Sequence, residues 1–527
     1  MSKLFDTIQI RKPKRNSFPL PHDNKLSFNM GDLVPIICQP IVPGDTWKLQ
    51  ASTMVRFSPM LAPIMDRVNV FTYFWFIPYR LIWDDFEDFI TGGKDGTANP
   101  VFPTVSIVKD HAQWFKTGSL ADYLGFPSVD TSPADGKVEK VSSLPFRAYQ
   151  LVYNEYVRDQ NLQTEVYIPR TSGSENTNYY SQLLTLRKKC WEKDYFTSAL
   201  PWAQRGNPVT IPLVGDADVY LKDGYSTMPS LFNVVSGNQE TTLADIQLSQ
   251  TGSTGTLEAT GNKELQYNPA GQLGVDMSGV TAATINELRQ AIKLQEWLEL
   301  AARGGSRYIE QIYAFFGVKS SDARLQRPEY LGGGRSPVVI SEVLQTSETG
   351  QDSPQGNMAG HGISLNSSHQ FKRFFEEHGI LLGCICVLPR TSYCQGIPRE
   401  WQKFDRFDFY WPQFAHLGEQ EVKNSEIYLD TSASANNDGV FGYQSRYAEY
   451  KYIPNSVHGE FRTSLDFWHM ARIFSNVPKL NSSFVEADPT TRIFSVEDPN
   501  ASSKLYAQVV FDIKAVRPMP KYGTPYF

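Results

Sequence analysis

Two pairs of adjacent carboxylates, Asp84-Asp85 and Glu376-Glu377, are the first residues of the chain whose types could do acid–base chemistry. Glycoside cleavage uses two carboxyl groups that converge on one bond, one as acid and the other as base or nucleophile. Neighbours on a strand point to opposite faces, so these pairs suit that work poorly. Cys384 and Cys386 share one face of an apolar run, and we read them as buried small hydrophobes rather than reactive thiols. The histidines are scattered without metal-ligand spacing. The chain has no GxxxxGK[ST] phosphate loop, no HExxH, no GxSxG and no EF-hand loop. No catalytic, cofactor-binding or metal-binding residue is expected, and no enzyme.

Basic residues offer a second kind of chemistry. Arg11, Lys12, Lys14 and Arg15, interrupted only by Pro13, are the densest basic cluster. Such an arm can neutralise nucleic-acid phosphates, and a merely solvated terminus fits the same residues. Arg187-Lys188-Lys189 is followed by Trp191, Tyr195, Phe196 and Trp202, which could join phosphate contact to base stacking. We read that stretch as a loop whose aromatics anchor it to the core or to a neighbouring subunit. Consecutive glycines, as in Gly332-Gly333-Gly334-Arg335, can turn backbone amides toward an anion. Without a following helix we read a flexible turn between Tyr330 and Pro337. With 50 basic against 56 acidic side chains the net charge is −6, which excludes a general basic coat. Any DNA contact must be local.

The elements that position these residues are mostly strands. In Thr46–Phe57, Trp47, Leu49, Ala51, Val55 and Phe57 alternate with polar residues, the period of a half-buried strand. In the stretch that follows, Val70, Phe74 and Phe76 face one way and Phe71, Tyr73 and Trp75 the other, which predicts a strand covered on both sides. Further strands are expected at Gly379 to Leu388, around Glu460 to Phe467, at Thr491 to Val496 and at Leu505 to Val516. Pairing of early with late strands, as in a Greek-key sandwich or jelly roll, would follow. Helices are expected at Leu144 to Leu162, at Thr284 to Arg303 behind a Thr284/Glu287 capping box, and at Tyr308 to Phe316.

From Val214 to Ala283 the chain is rich in Gly, Ser, Thr, Gln and Asn and lacks a sustained apolar period, the composition of a long exposed insertion. Five cysteines without a regular framework point to reduced thiols. The first residues lack a signal-peptide pattern, and the longest apolar stretches fall short of the ~20 residues that span a bilayer. Neither export by that route nor membrane insertion is expected. The aromatic share of 13% suits large interfaces as well as cores.

Several stretches together resemble the major capsid protein of the small single-stranded DNA phages of the microvirus family, in particular its gokushovirus branch. They include GDLVPIICQPIVPGDTWKL at Gly31 to Leu49, FIPYRLIWDDFEDFITGG at Phe76 to Gly93 and LPFRAYQLVYNEYVRDQNLQ at Leu144 to Gln163. DYFTSALPWAQRG at Asp194 to Gly206, TINELRQAIKLQEWLELAARGGSRYIE at Thr284 to Glu310, DARLQRPEYLGGG at Asp322 to Gly334 and RPMPKYGTP at Arg517 to Pro525 follow in order.

The resemblance implies an all-β fold: an eight-stranded antiparallel viral jelly roll with long loop insertions containing several helices. It also implies a T=1 icosahedral shell around circular single-stranded DNA, a homo-oligomer without catalysis or cofactor. Expected partners are a small basic DNA-binding protein, a minor pilot protein and a host-cell surface receptor. The expected location is the virion, assembled in the bacterial host cytoplasm. On this reading residues 1–30 form an N-terminal basic arm in which Arg11, Lys12, Lys14 and Arg15 contact nucleic acid. The insertion at 214–283 forms a threefold protrusion used in host attachment, with Ser236, Asn238, Gln239, Thr251, Ser253, Asn262 and Tyr267 as candidate contacts. The rival is a carbohydrate-binding or carbohydrate-active β-sandwich protein.

Overall fold

A computed structural model describes residues 14–107, 113–128, 139–207, 209, 218–221, 231–233, 246–251, 254–259, 265–267, 273–276, 284–344, 358–432, 434–495 and 503–522. The chain divides into two compact units, residues 1–205 with 299–527, and residues 206–298.

The larger unit is organised by ten strands: β1 (Asn16–Pro19), β2 (His22–Phe28), β3 (Val34–Ile41), β4 (Thr46–Phe57), β5 (Val68–Pro78), β6 (Glu329–Pro337), β7 (Val339–Leu344), β8 (Met358–Phe374), β9 (Gly379–Pro389) and β10 (Leu505–Arg517). Six form one sheet in the order β1-β10-β4-β8-β7, with β2 also on β10, and four form a second in the order β6-β5-β9-β3. Every pairing in these two sheets is antiparallel.

The alternation in β4 predicts its packing. Trp47, Leu49 and Ala51 lie opposite Ala515, Ile513 and Phe511 of β10. All six are buried in a core shared with Val70, Phe74 and Phe76 of β5 and Leu381, Ile385 and Val387 of β9. The opposite faces of β5 and β9 feed a second core, in which Phe71, Trp75, Leu382, Cys384 and Cys386 pack on the chain between β5 and β6. β5 is therefore covered on both sides, as expected, because each of its alternating faces meets a separate apolar layer.

The second core rests on α1 (Leu144–Val152), whose first turn contains Pro145 and which buries Phe146, Tyr149 and Val152. It continues as one π-helical turn, Tyr153–Val157, and stops at Arg158, short of the expected Leu162. The stop is local: the Asp159 carboxylate accepts from the amides of Asn161 and Leu162 at 3.0 and 3.1 Å, an alternative to continuing the helix. α2 (Ile285–Gly304) starts behind the expected capping box, with Glu287 N donating to Thr284 Oγ1 at 3.2 Å and Thr284 N to Glu287 Oε2 at 2.7 Å. α3 (Tyr308–Phe316) ends at Gly317, where φ of 66° suits glycine.

Two expected strands are absent. Glu460 to Phe467 folds into 3-10 turns, with Thr463 N and Leu465 N both donating to Glu460 O, so alternation without a sheet neighbour does not produce a strand. In the other, Phe494 N donates to Thr491 O in a turn. Ile493 and Phe494 are buried in the core between the sheets, and only Phe494 bridges to Met60. Val496 lies outside the described residues.

In the unit 206–298, strands pair in a nested series: Asp218–Leu221 with Leu273–Asp276, Leu231–Asn233 with Leu265–Tyr267, and Ile246–Thr251 with Thr254–Ala259. A stretch without apolar periodicity thus still folds back on itself through backbone pairing. Among the described residues no helix is long and apolar enough to cross a membrane.

Candidate assembly and nucleic-acid surfaces

The basic N-terminal cluster is divided by the fold. Arg11 and Lys12 lie outside the described residues, and Lys14 is exposed just ahead of β1. Arg15 donates to the Gly44 carbonyl in the β3–β4 turn and lies 5.2 Å from the Phe374 ring centroid at the end of β8. From Asn16 onward the chain is a sheet strand, with Asn16 opposite Arg517 and Pro19 opposite Lys514. Asn16–Pro19 and His22–Phe28, within the expected 1–30 arm, are therefore sheet strands.

The Arg187-Lys188-Lys189 run is occupied internally. Arg187 Nε donates to Gln150 Oε1 at 2.9 Å, Lys188 pairs with Asp488, and Lys189 Nζ sits 4.0 Å from the Phe71 ring centroid. Desolvation pushes the Lys189 ammonium below its usual range. Trp191, Tyr195 and Phe196 are buried and Trp202 is half-buried. The buried aromatics anchor the loop to the core, and all three basic side chains are engaged within the subunit.

The carboxylate pairs are not catalytic constellations, and neither sits on a strand. Asp85 accepts from Ser172 Oγ at 2.6 Å beside the short helix Phe86–Thr91. Glu377 pairs with Arg80 at 2.7 Å in the turn between β8 and β9. Cys384 and Cys386 are fully buried on the face of β9 toward the second core, and desolvation raises both thiols, Cys386 to about 12. All five cysteines are free thiols. No group of three or more His, Cys, Asp or Glu able to hold a metal occurs among the described residues.

The glycine run corrects its reading as a turn. Gly332, Gly333 and Gly334 belong to edge strand β6, with a bulge between Tyr330 and Gly332. A Cβ on Gly333 would come within 2.6 Å of Thr72 O, so the glycine permits the close approach of β6 to β5.

Buried polar groups fix the long loops. The Arg147–Glu175 pair has side chains only 1% and 2% exposed. Arg147 Nε donates to Glu175 at 2.7 Å, and its other nitrogens donate to Ile82 O and Thr171 O at 2.9 and 2.8 Å, so one guanidinium ties α1 to three loop positions. Asp194 accepts from Phe196 N, Thr197 N, Thr197 Oγ1 and Tyr393 Oη at 2.7–2.9 Å, and also from Thr391 Oγ1. Such pairs across distant sequence leave no periodic signature, and sequence reading missed them. It also missed the aromatic run from Trp401 to Phe414, whose density in the sequence was the available signal.

Of the attachment candidates, Thr251 and Tyr267 end the strands Ile246–Thr251 and Leu265–Tyr267. Ser236, Asn238, Gln239, Ser253 and Asn262 lie outside the described residues.

A shell subunit has long fixed loops and no reaction centre, and comparison with known proteins decides between that and a sandwich enzyme. The family model for the capsid protein (F protein) matches residues 6–527. The chain belongs to this capsid F protein family. It is 39% identical to capsid protein VP1 of Bdellovibrio phage phiMH2K, over 97% of this chain and 95% of that one. It is 36% identical to capsid protein VP1 of Chlamydia phage 1, over 100% and 98%, and 33% identical to capsid protein VP1 of Spiroplasma virus 4, over 97% and 95%. These are gokushovirus-type microviruses, as the sequence resemblance implied. As a capsid F protein the chain is a structural major capsid protein rather than an enzyme.

Proposed function

We propose that this major capsid protein builds the T=1 icosahedral shell of a gokushovirus-type virion around a circular single-stranded DNA genome. The observation that carries the reading is the collinear match at 33–39% identity over nearly the whole chain. The strand order supports an eight-stranded viral jelly roll as the fold. β2, β10, β4 and β8 lie side by side in one sheet and β3, β9, β5 and β6 in the other, so the first and last long strands are neighbours. On this count β1 extends β2 along β10, and β7 is a hairpin addition to β8.

Genome contact in this reading falls to Arg11, Lys12, Lys14 and, where it is not held by Gly44, Arg15. Their phosphate contacts are sequence-independent and weaken with salt. A small basic protein shares charge neutralisation, a minor pilot protein travels in the particle, and assembly takes place in the bacterial cytoplasm. The insertion at 214–283 forms the threefold protrusion and meets the host receptor.

Electron microscopy of the purified chain, alone and co-expressed with the other phage proteins, tests the reading. Closed particles of one size are expected, and small oligomers under every condition overturn it. Changing Arg11, Lys12, Lys14 and Arg15 together to Ser is expected to leave shell geometry intact and lower packaged DNA. Replacing residues 234–264 with a short Gly/Ser linker keeps the two outer strand pairs of the insertion. Loop-closure free energy varies only slowly with length, by about 0.6 kcal/mol per twofold change. Particles that form but do not adsorb to host cells are expected.

A further inference from the structure

We propose that the aromatic face formed by Arg399 to Leu417 and the adjoining Tyr450–Ile453 turn is a subunit contact, covered in the shell by a second copy of this chain. This rests on the shell reading above and adds to it the surface that meets the neighbour.

The face is too large for an isolated protein. Phe404 is 89% exposed, Ile453 80% and Trp401 75%, and Phe409, Tyr410 and Tyr450 are each about half exposed. Aromatic side chains carry roughly 150–250 Å² each, so with their neighbours these residues present on the order of 1,000 Å² of apolar surface. The largest such patch on a typical monomer is about 300–600 Å², whereas one partner in a standard interface contributes about 800 Å². Lys403 joins part of the face, with its Nζ 3.7 Å from the Tyr450 ring centroid and 5.9 Å from that of Phe409. Tyr410 and Tyr450 have centroids 6.2 Å apart, and Trp401 and Ile453 line the same cavity of about 470 Å³, a socket for side chains projecting from a neighbour.

Exposure here is built in rather than a result of slack. Asp408 accepts from the amides of Phe404 and Asp405 at 3.0 and 2.9 Å, and those bonds lower its carboxyl pKa. Trp411 Nε1 donates to Arg406 O at 2.8 Å, and Tyr447 Oη donates to Phe409 O at 3.2 Å. Below the surface Lys403 pairs with Glu449 at 3.4 Å with both side chains buried. A backbone fixed this way holds its aromatic side chains outward and loses little freedom when they are covered, which favours binding.

The charge pattern selects the occupant. A nucleic-acid platform needs a cation surplus beside its stacking rings. Across Arg399–Leu417 and the Tyr450–Ile453 turn, Arg399, Lys403, Arg406 and Lys451 stand against Glu400, Asp405 and Asp408. Arg399 is already paired with Glu426 at 2.7 Å, and Lys403 with Glu449. With those two paired, Arg406 and Lys451 do not outnumber Glu400, Asp405 and Asp408. An aromatic, preorganised face of this area without a cation surplus fits protein, and in a closed shell the protein present at every such face is another copy of the chain.

Photo-crosslinking in intact particles tests this, with Phe404 replaced by p-benzoylphenylalanine. The expected product is a cross-linked species of twice the 59.6 kDa chain mass, with the link mapping to a second copy. A link to a different phage protein, or irradiated particles that yield only monomer, overturns the assignment while leaving the shell reading intact. Absence of the chain from particles overturns the shell reading itself. As a second measurement, the dissociated Phe404→Asp subunit is expected to unfold at the wild-type urea concentration while particle yield falls at least tenfold. Unchanged yield overturns the contact.

Discussion

Two segments of nearly equal aromatic density meet opposite fates. β5, VNVFTYFWFIP, is buried along almost its whole length, whereas Phe404 to Phe414, FDRFDFYWPQF, leaves most of its rings in solvent. The residues between the rings account for the difference. Val68, Val70, Thr72 and Ile77 favour an extended chain, and β6 and β9 flank that chain, so each face of β5 meets an apolar layer. In the second segment Asp405 and Asp408 fall at turn spacing and Asp408 binds backbone amides, so the chain folds into turns with no strand beside it. Aromatic content gives the amount of surface to be buried; the intervening residues decide whether the chain buries it against itself.

That contrast breaks first at Phe74, which is fully buried between the sheets. Phe74→Ala is expected to destabilise the dissociated subunit by about 3–5 kcal/mol, read as a lower urea midpoint with unchanged slope. A loss under about 1 kcal/mol would mean that the sandwich collapses around the cavity and that the two segments differ less than their burial indicates.

An effect of similar size is expected from Glu175→Ala, because it leaves the Arg147 guanidinium buried without its partner. Breaking such a pair costs about 3–5 kcal/mol. The pair fixes loop positions around α1 rather than an exposed face, so proteolysis between Trp83 and Glu175 should accelerate. Restoring the shape but not the charge, with Glu175→Gln, is expected to recover part of the loss.

How much of this was legible follows from what leaves a periodic trace. β4, β5, β9 and β10 announced themselves because each has a neighbour on both edges of the strand or a full apolar face, which fixes side-chain period. The capped start of α2 and the glycine end of α3 were legible for the same local reason. Glu460 to Phe467 had the alternation of a strand but no partner, and pairing is not written in one segment. The glycines of β6 read as a turn because glycine's close-approach role in a bulged edge strand looks the same in sequence as its flexibility. For the candidate site, the internal fate of Arg187 to Lys189 was anticipated, while the Arg147–Glu175 pair and the outward aromatic face depend on contacts across distant sequence.

A smaller effect, with a defined sign, is expected at Asp32, which sits beside Lys188 in a β-bridge. Desolvation, with Asp488 and Glu486 adding and Lys188 opposing, pushes its carboxyl from an ordinary 3.8 up to about 6. A raised folded-state pKa favours the protonated fold, so this stabilisation is full below about pH 3.8 and is lost as pH rises through about 6. Asp32→Asn is expected to flatten stability between those limits and raise it above pH 7 by on the order of 1–2 kcal/mol. An unchanged pH slope would place the titration elsewhere.

The smallest effect sharpens the comparison most. Phe404→Ala removes as much aromatic surface as Phe74→Ala, but from a ring already in solvent, and none of the bonds that shape its turn involve the ring. Substitutions at such sites change folding stability by about 0.5 kcal/mol or less. The urea midpoint of the dissociated Phe404→Ala subunit is therefore expected to match the wild type, although the same change weakens assembly. A midpoint lowered as far as that of Phe74→Ala would show that the ring belongs to the subunit's own core. The two aromatic segments would then be one kind of structure, and the distinction between surface buried in folding and surface buried in the shell would not hold for this chain.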